Sequence, residues 1–559
     1  MTIKKIYLLI LICLVSISCK QQTKPITKEI PHLEKKGNAT QLIVDGKPFL
    51  VLGGELQNSS SSSREYMKEY WPKLETSGLN TVLAAVEWSL IEPVEGKFDF
   101  TIVDNVIEDA RAHHLRLVLL WFGSWKNGQT HYAPEWVKKD YNRFPRVKAE
   151  SGKSLEILTP LGAETLKADS RAFAAMMKHV KEIDSSQRTV IMIQVENEVG
   201  VLGSPRDHGD IANAAFNSPV PQEMMDYLIK NKENLLPELT EVWKTTGFKT
   251  SGTWEEVFGK GVKADELFMV WNYARYLDVC ASTAKAEYSI PMFVNAWLVQ
   301  PEDKRPGDYP SGGPQAHVLD IWRAGAPNID LLCPDIHLPD CEGISVQYTR
   351  NNNTLFVPES SAGENGAGNA FYVIGTPKAL GYSPFGIERT FANNEKDPLS
   401  TAYKVLSALA PVILEAQSND KIASVLLKRD INPSVEVVLG GYKVLAELSK
   451  NRRSPAVPEL GYGIIINMSP DEYVIYGSNI QVSFSPATPG PAIAAIDQLD
   501  EGKFENGIWV PRRRLNGDDI MLYYDLAKMA QENKTGTGLR FGNGNGNEFV
   551  QRVKLYRYE

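Results

Sequence analysis

The segment Val190-Ile191-Met192-Ile193-Gln194-Val195 is an apolar run too short for a typical helix and without the polar alternation of a half-exposed strand. A strand of this composition is covered on both faces, as strands of parallel sheets are by their crossover helices. The run leads into Glu196-Asn197-Glu198-Val199-Gly200, so carboxyls stand where the chain leaves the core. In a (β/α)8 barrel the C-terminal strand ends carry the reactive groups. A second end of this kind is Thr354-Leu355-Phe356-Val357-Pro358-Glu359, which runs into a Gly/Asn-rich stretch over 360–369.

Strand and helix patterns alternate on either side of these two runs. Apolar runs at 49–54, 81–86, 115–121, 190–195, 292–296, 329–333, 355–358 and 383–387 read as eight strands, the last being the weakest. Between them lie helical stripes such as Ile102, Val103, Val106, Ile107 and Ala110, or Phe173, Met176, Met177 and Val180. Pro72 fits the first turn of a helix that ends at Gly78. The pattern predicts an α/β chain with a (β/α)8 TIM barrel over 39–418, in which Glu198 ends the fourth strand and Glu359 the seventh. Residues 200–263 are long for a barrel loop and are expected to shape the mouth. From 419 to 559 short β patterns separated by Gly, Asn, Pro and Asp predict a β-sandwich-like domain. The run Gly542 to Asn547 resembles a phosphate-binding glycine loop only superficially, since no helix pattern follows it, and reads as a turn.

With 559 residues, 43% of them hydrophobic, the chain can bury such a barrel and still build a second domain. A net charge of -8 leaves no electrostatic footprint for nucleic acid or an anionic membrane surface. Metal-ligand spacing is absent among its His, Cys and acidic residues, so neither metal nor cofactor is expected. Two carboxyls on separate strand ends suit glycoside hydrolysis, where one protonates the leaving oxygen and the other attacks or activates water. A separation of about 5 to 5.5 Å would fit retention, and about 6.5 to 9.5 Å inversion. Period-2 alternation puts Glu196 and Glu198 on one face, so spacing alone does not choose between them.

The Asn-Glu dipeptide does choose. Gln194-Val195-Glu196-Asn197-Glu198, followed by Gly200, resembles the acid/base segment of glycoside hydrolase family 35, the β-galactosidases of clan A. Thr81 to Val86 with Trp88, Glu92-Pro93 and Glu95 to Phe100 resembles that family's second strand and its loop, and Pro134-Glu135-Trp136-Val137 its Pro-x-Trp-Leu element. Trp121 to Gly128 and Ser204 to His208 look like a bacterial subgroup with a small C-terminal β-domain. The resemblance spans roughly 45–400. It implies a retaining exo-β-galactosidase acting on plant-type oligo- or polysaccharide side chains, with Glu198 as general acid/base, Glu359 as nucleophile, and Asn197 bonded to the sugar 2-hydroxyl. His337 stands where clan members often place a tyrosine bonded to the nucleophile. Glu55, Asn127 and Asn295 follow strand ends and are candidate sugar-binding residues, as are Trp88, Trp121, Trp125 and Trp297, whose rings would suit pyranose faces. Asp335 matches no motif and reads as structural. The chain departs from the family after the third strand, where Ser124-Trp125-Lys126-Asn127 replaces a Cys-Ala-Glu-Trp element whose Glu reads sugar hydroxyls. Other clan A exo-glycosidases acting on β-glucosides, β-mannosides or arabinosides, and an inactive glycan-binding lipoprotein, are the alternatives.

Residues 1–19 carry two early lysines, an apolar stretch from Ile6 to Ile17, and Ser16-Ile17-Ser18-Cys19. This resembles a lipoprotein signal with lipid on Cys19, although Ser16 stands where leucine is commonest; an ordinary secretory signal would export the chain equally. Residues 20–38 read as a flexible tether. The expected setting is therefore extracytoplasmic, with contact to the membrane only through a lipid anchor. The remaining Cys280, Cys333 and Cys341 are too few for a disulfide framework. A Cys333–Cys341 bridge is conceivable, but a buried free thiol is the expected state of Cys333.

Overall fold

The computed structural model describes residues 29–393, 397–449, 457–515, 538–541 and 548–559. The leader, Cys19, residues 20–28 of the tether and the glycine run 542–547 lie outside the described residues.

Eight parallel strands form the barrel: β1 (Val51–Glu55), β2 (Thr81–Glu87), β3 (Arg116–Phe122), β4 (Val190–Val195), β5 (Met292–Trp297), β6 (Leu331–Ile336), β7 (Glu359–Ser360) and β8 (Gly381–Tyr382). They are hydrogen-bonded in sequence from β1 to β7, and β8 pairs with β1. The last seam closes before β7 proper, where the Leu380 amide donates to the Leu355 carbonyl and the Ser383 amide to that of Val357. Pro358 has no amide hydrogen, which keeps the regular ladder of the seventh strand short. The eighth strand lies two residues earlier than its apolar run suggested.

Each strand is followed by a helix on the outside, from the short Trp71–Thr76 to Pro398–Ser418. Pro72 sits in the first turn of Trp71–Thr76, and Gly78 just beyond the helix takes φ 93°. The barrel interior is filled by Val51, Leu83, Ala85, Val118, Leu120, Phe122, Ile191, Met192, Phe293, Leu331, Cys333 and Phe356, so the barrel is a packed core rather than a pore. Cys280, Cys333 and Cys341 are buried and unbridged.

One feature differs from the sequence reading: the fold begins earlier. His32–Lys36, assigned to the tether, pairs antiparallel with Ala39–Val44, and Leu42 and Val44 join the barrel-interior cluster. The long 200–263 segment holds four α-helices, Asp210–Phe216, Gln222–Lys230, Pro237–Lys244 and Trp254–Phe258. Its first residues are tied to the loop after β5 by paired backbone bonds between Val201 and Ser311.

Beyond residue 421, strands Ile422–Lys428, Leu460–Ser469, Glu472–Ser478, Val550–Tyr558, Ile493–Glu505 and Ile508–Leu515 form one antiparallel sheet. A second contains Ser434–Leu439, Tyr442–Leu448, Ile480–Pro486 and Gly538–Phe541. Val425, Leu427, Ile465 and Ile475 from the first meet Val444, Ile480, Val482 and Phe484 from the second in one core, as in a sandwich. The opposite face of the larger sheet, with Leu426, Tyr462, Ile464 and Tyr476, packs on the barrel helices.

Candidate active site

The site forms where β1, β4, β5, β6 and β7 end. Glu198 and Glu359 are 7% and 8% exposed, low values for carboxyls that reach solvent through a cleft mouth. Glu359 pairs in register with Asp335 on the neighbouring β6. Burial pushes the Glu198 carboxyl up, Lys126 pulls it down, and the negative Glu359 pushes it up again, leaving it at about 7. These influences place Lys126 and Glu359 close to Glu198. Nε2 of His337 lies 2.9 Å from Oε1 of Glu359, and this hydrogen bond raises the imidazole above its usual range.

The backbone explains why Glu198 rather than Glu196 faces that cleft. Both residues take positive φ, 58° at Glu196 and 46° at Glu198, so the alternation expected from a strand ends at Val195. Glu196 turns back beneath the loop after β3 and accepts from the amides of Ser124 at 3.1 Å and Trp125 at 2.8 Å. Burial and the adjacent Asp169 hold its carboxyl well above the usual range. Asp169 in turn accepts from the Trp121 indole, the Ser124 hydroxyl and the Tyr276 hydroxyl. Gly123 lies against both carboxyls, and a β-carbon there would overlap Glu196 and Asp169 oxygens. Glu196 is a brace of the β3 loop.

Glu198 has its own support. Its amide donates to Asn295 Oδ1 at 3.0 Å, and Asn295 Nδ2 donates to Asp335 Oδ2 at 2.6 Å. Asp335 is buried, and its carboxyl is pushed well above the ordinary range by burial and by Glu359, Glu198 and Glu55. Asp335 and Glu198 lie close enough for each charge to act on the other. Sequence reasoning treated Asp335 as structural because no motif marks it. The one available signal was its position two residues before His337, at the end of the sixth strand.

Four buried acceptor oxygens around the strand ends have no partner among the described residues: Glu55 Oε1, Asn197 Oδ1, Asp335 Oδ1 and Glu359 Oε2. Buried polar atoms are normally satisfied, so these strand ends hold acceptors that a donor-bearing ligand or water could meet. Glu55, Asn197 and Asn295 thus lie with the carboxyl pair. Trp297 is partly exposed after β5, and its carbonyl accepts from Gln315 Nε2 at 2.5 Å.

Other expectations are corrected. Trp88, Trp121 and Trp125 are fully buried, and each indole N–H is committed to protein: to Glu92 at 2.9 Å, Asp169 at 2.9 Å and the Leu158 carbonyl at 3.0 Å. Large rings close to strand ends were needed for packing, not for sugar. Asn127 takes φ 52° and Gly128 φ 64° in a two-residue turn closed by Lys126 and Gln129, a conformation that Asn-Gly favours without any ligand.

An α/β barrel with this carboxyl constellation has the framework of a barrel glycosidase, and comparisons with known proteins agree. Residues 58–259 match the family model described as β-galactosidase, that of glycoside hydrolase family 42 rather than family 35; residues 399–526 match a domain of unknown function, DUF5597. The chain is similar to a β-galactosidase of Xanthomonas manihotis, 30% identical over 183 residues, which are 31% of this chain and 27% of that protein. It is also similar to the human β-galactosidase-1-like protein 3, 29% identical over 30% of this chain and 24% of that protein. The chain thus matches only about a quarter of the length of these relatives. Among solved structures, the β-galactosidase of Rahnella sp. R3 is 16% identical with a TM-score of 0.43, covering 66% of this chain and 57% of that one.

Proposed function

We propose that the protein is a retaining, exo-acting β-galactosidase of the family 35 type that releases terminal galactose from plant-type side chains by double displacement. The observation that carries this reading is the pairing of a partly desolvated Glu198, poised at about 7, with Glu359 in the same cleft. Glu359 attacks the anomeric carbon while Glu198 protonates the departing oxygen. Glycosylation removes the negative charge of Glu359, one of the influences that hold Glu198 up, so the Glu198 pKa falls. Glu198 then takes a proton from water, which releases the sugar. The His337 imidazolium is the counter-charge beside Glu359, and Asn197, with its orphaned Oδ1, supplies sugar contacts near the anomeric centre. Exo action and the galactose preference rest on the family resemblance. Because Lys126 replaces a family carboxylate at the mouth, a clan A enzyme with another glycone is the second reading.

Turnover of an aryl β-D-galactopyranoside, abolished in Glu359→Gln while sugar binding persists, is the expected result. Binding without turnover on any aryl glycoside would instead make the protein a glycan-binding one. We also propose export as a lipoprotein. Cys19→Ser should then release the protein from membranes, and unchanged membrane association would overturn the anchor.

A further inference from the structure

Lys126 lies on the loop after β3 and is 5% exposed, the one buried lysine among the described residues. Its backbone is fixed: amide and carbonyl each bond to Gln129 at 2.9 Å across the Asn127-Gly128 turn. The side chain runs along Phe122, with Nζ 5.3 Å from the ring centroid. Among the described residues, Nζ has neither an ion-pair nor a hydrogen-bond partner, although an ammonium carries three donors. Leaving such donors unmet in a desolvated place is costly.

The direction in which the ammonium acts is set by the groups that feel it. Its charge reaches Glu55 at the end of β1, Glu198 beyond β4 and His337 beyond β6. The Asn197 amide donates to the Trp125 carbonyl at 3.3 Å, so the loop that carries Lys126 adjoins the segment that carries Glu198. A lysine serving only to neutralise the acidic mouth would close on one carboxylate as an ion pair, and it does not. Glu55, whose carboxyl feels the Lys126 charge, has in Oε1 a buried oxygen without a partner among the described residues. An unmet donor and an unmet acceptor that feel each other across the same strand ends are the complement of a sugar hydroxyl, which accepts from one group and donates to the other.

We propose that Lys126 is a substrate-contacting, specificity-determining residue that donates to one hydroxyl of the glycone, with Glu55 as its partner. This rests on the glycosidase reading. A neutral sugar with a correctly placed hydroxyl satisfies both groups, and a glycone lacking that hydroxyl leaves a buried ammonium unmet.

The test is kcat/KM for the wild type, Lys126→Met and Lys126→Arg on an aryl β-galactoside and its 2-, 3-, 4- and 6-deoxy analogues. Lys126→Met should lose about 10- to 100-fold on the parent glycoside. It should match the wild type, within about twofold, on the single analogue that lacks the acceptor. Glu198 faces Lys126, Glu359, Asp335 and His337, so removing the Lys126 cation should also move the alkaline limb of kcat/KM to higher pH. Lys126→Arg, which keeps the charge but shifts the donors, should leave that limb in place and still lose on the parent. Equal losses across the series in both variants, with an unmoved limb, would overturn the proposal. If the wild type itself turned over none of the parent glycosides, the glycosidase reading would fall and this proposal with it.

Discussion

Nε2 of His337 stands 2.9 Å from Oε1 of Glu359, across the seam between β6 and β7. The bond favours the imidazolium, so the folded pKa lies above the ordinary value of about 6.5. The stabilisation is complete below that value and is lost as pH rises through the folded pKa. His337→Ala should lower kcat by about 10- to 100-fold, by leaving Glu359 free to rotate in a site that depends on its aim. NMR titration of the imidazole in the wild type should show the raised pKa, and a normal pKa would show that the bond is not formed in solution.

Glu198 sets the pH dependence. With its carboxyl at about 7 in the free protein, kcat/KM should fall as pH rises through that value, because the first step needs its proton. The same shift acts on stability. A carboxyl raised from 4.5 favours its neutral form, so its contribution is full below about pH 4.5 and is lost by pH 7. Glu198→Gln, inactive on alkyl glycosides, should therefore melt higher than the wild type at pH 8 and nearly with it at pH 4.5. Thermal scans at the two pH values test this, and a variant less stable at pH 8 would contradict it.

Azide separates the two carboxyl roles. On a glycoside with a strongly acidic phenol, Glu198→Ala should glycosylate Glu359 and then stall, and azide should restore turnover with a retained glycosyl azide. Glu359→Gly should give the inverted azide. On alkyl glycosides, Glu198→Ala should lose about 10²- to 10⁴-fold. Product anomers read by NMR decide the matter; the opposite pattern would exchange the roles.

Glu196→Ala should behave differently from either. It removes the acceptor of two backbone amides, Ser124 and Trp125, at about 1–3 kcal/mol for each amide left unmet. The expected outcome is a lower Tm and a partial loss of activity that azide does not restore. Azide rescue of Glu196→Ala would mean that Glu196, not Glu198, does the proton transfer.

The barrel was legible because its strands are continuous apolar runs, and β4 runs over the same Val190–Val195 in sequence and structure. Two strands were less legible for a local reason. Pro358 and the two-residue ladders of β7 and β8 leave little apolar length to read. In the second domain, Tyr442–Leu448 and Val550–Tyr558 set charged residues between their buried ones and so present no continuous apolar run to read. At the site, Glu196 and Glu198 defeated the alternation argument because both leave the β region. The tryptophans misled because a ring beside a strand end is as useful to the core as to a sugar. Lys126 and Asp335 carry no motif, and their importance lies in the groups around them, which only the fold assembles.

The helix that leaves Glu359, Gly363–Gly375, is held from outside the barrel. Phe371 stacks on Tyr462 and Tyr476 of the larger β-sheet, Gly375 allows Ser424 to approach, and the Ser424 hydroxyl bonds to the Tyr372 carbonyl at 2.8 Å. Just past His337, the Pro339 carbonyl accepts from Lys428 at 2.9 Å. The two chain segments that carry Glu359 and His337 thus rest on a foundation laid by the second domain. A barrel separated from that foundation would keep Glu359 and His337 but lose these contacts beneath them. Accuracy at Glu359 is a property of the joint between the two domains.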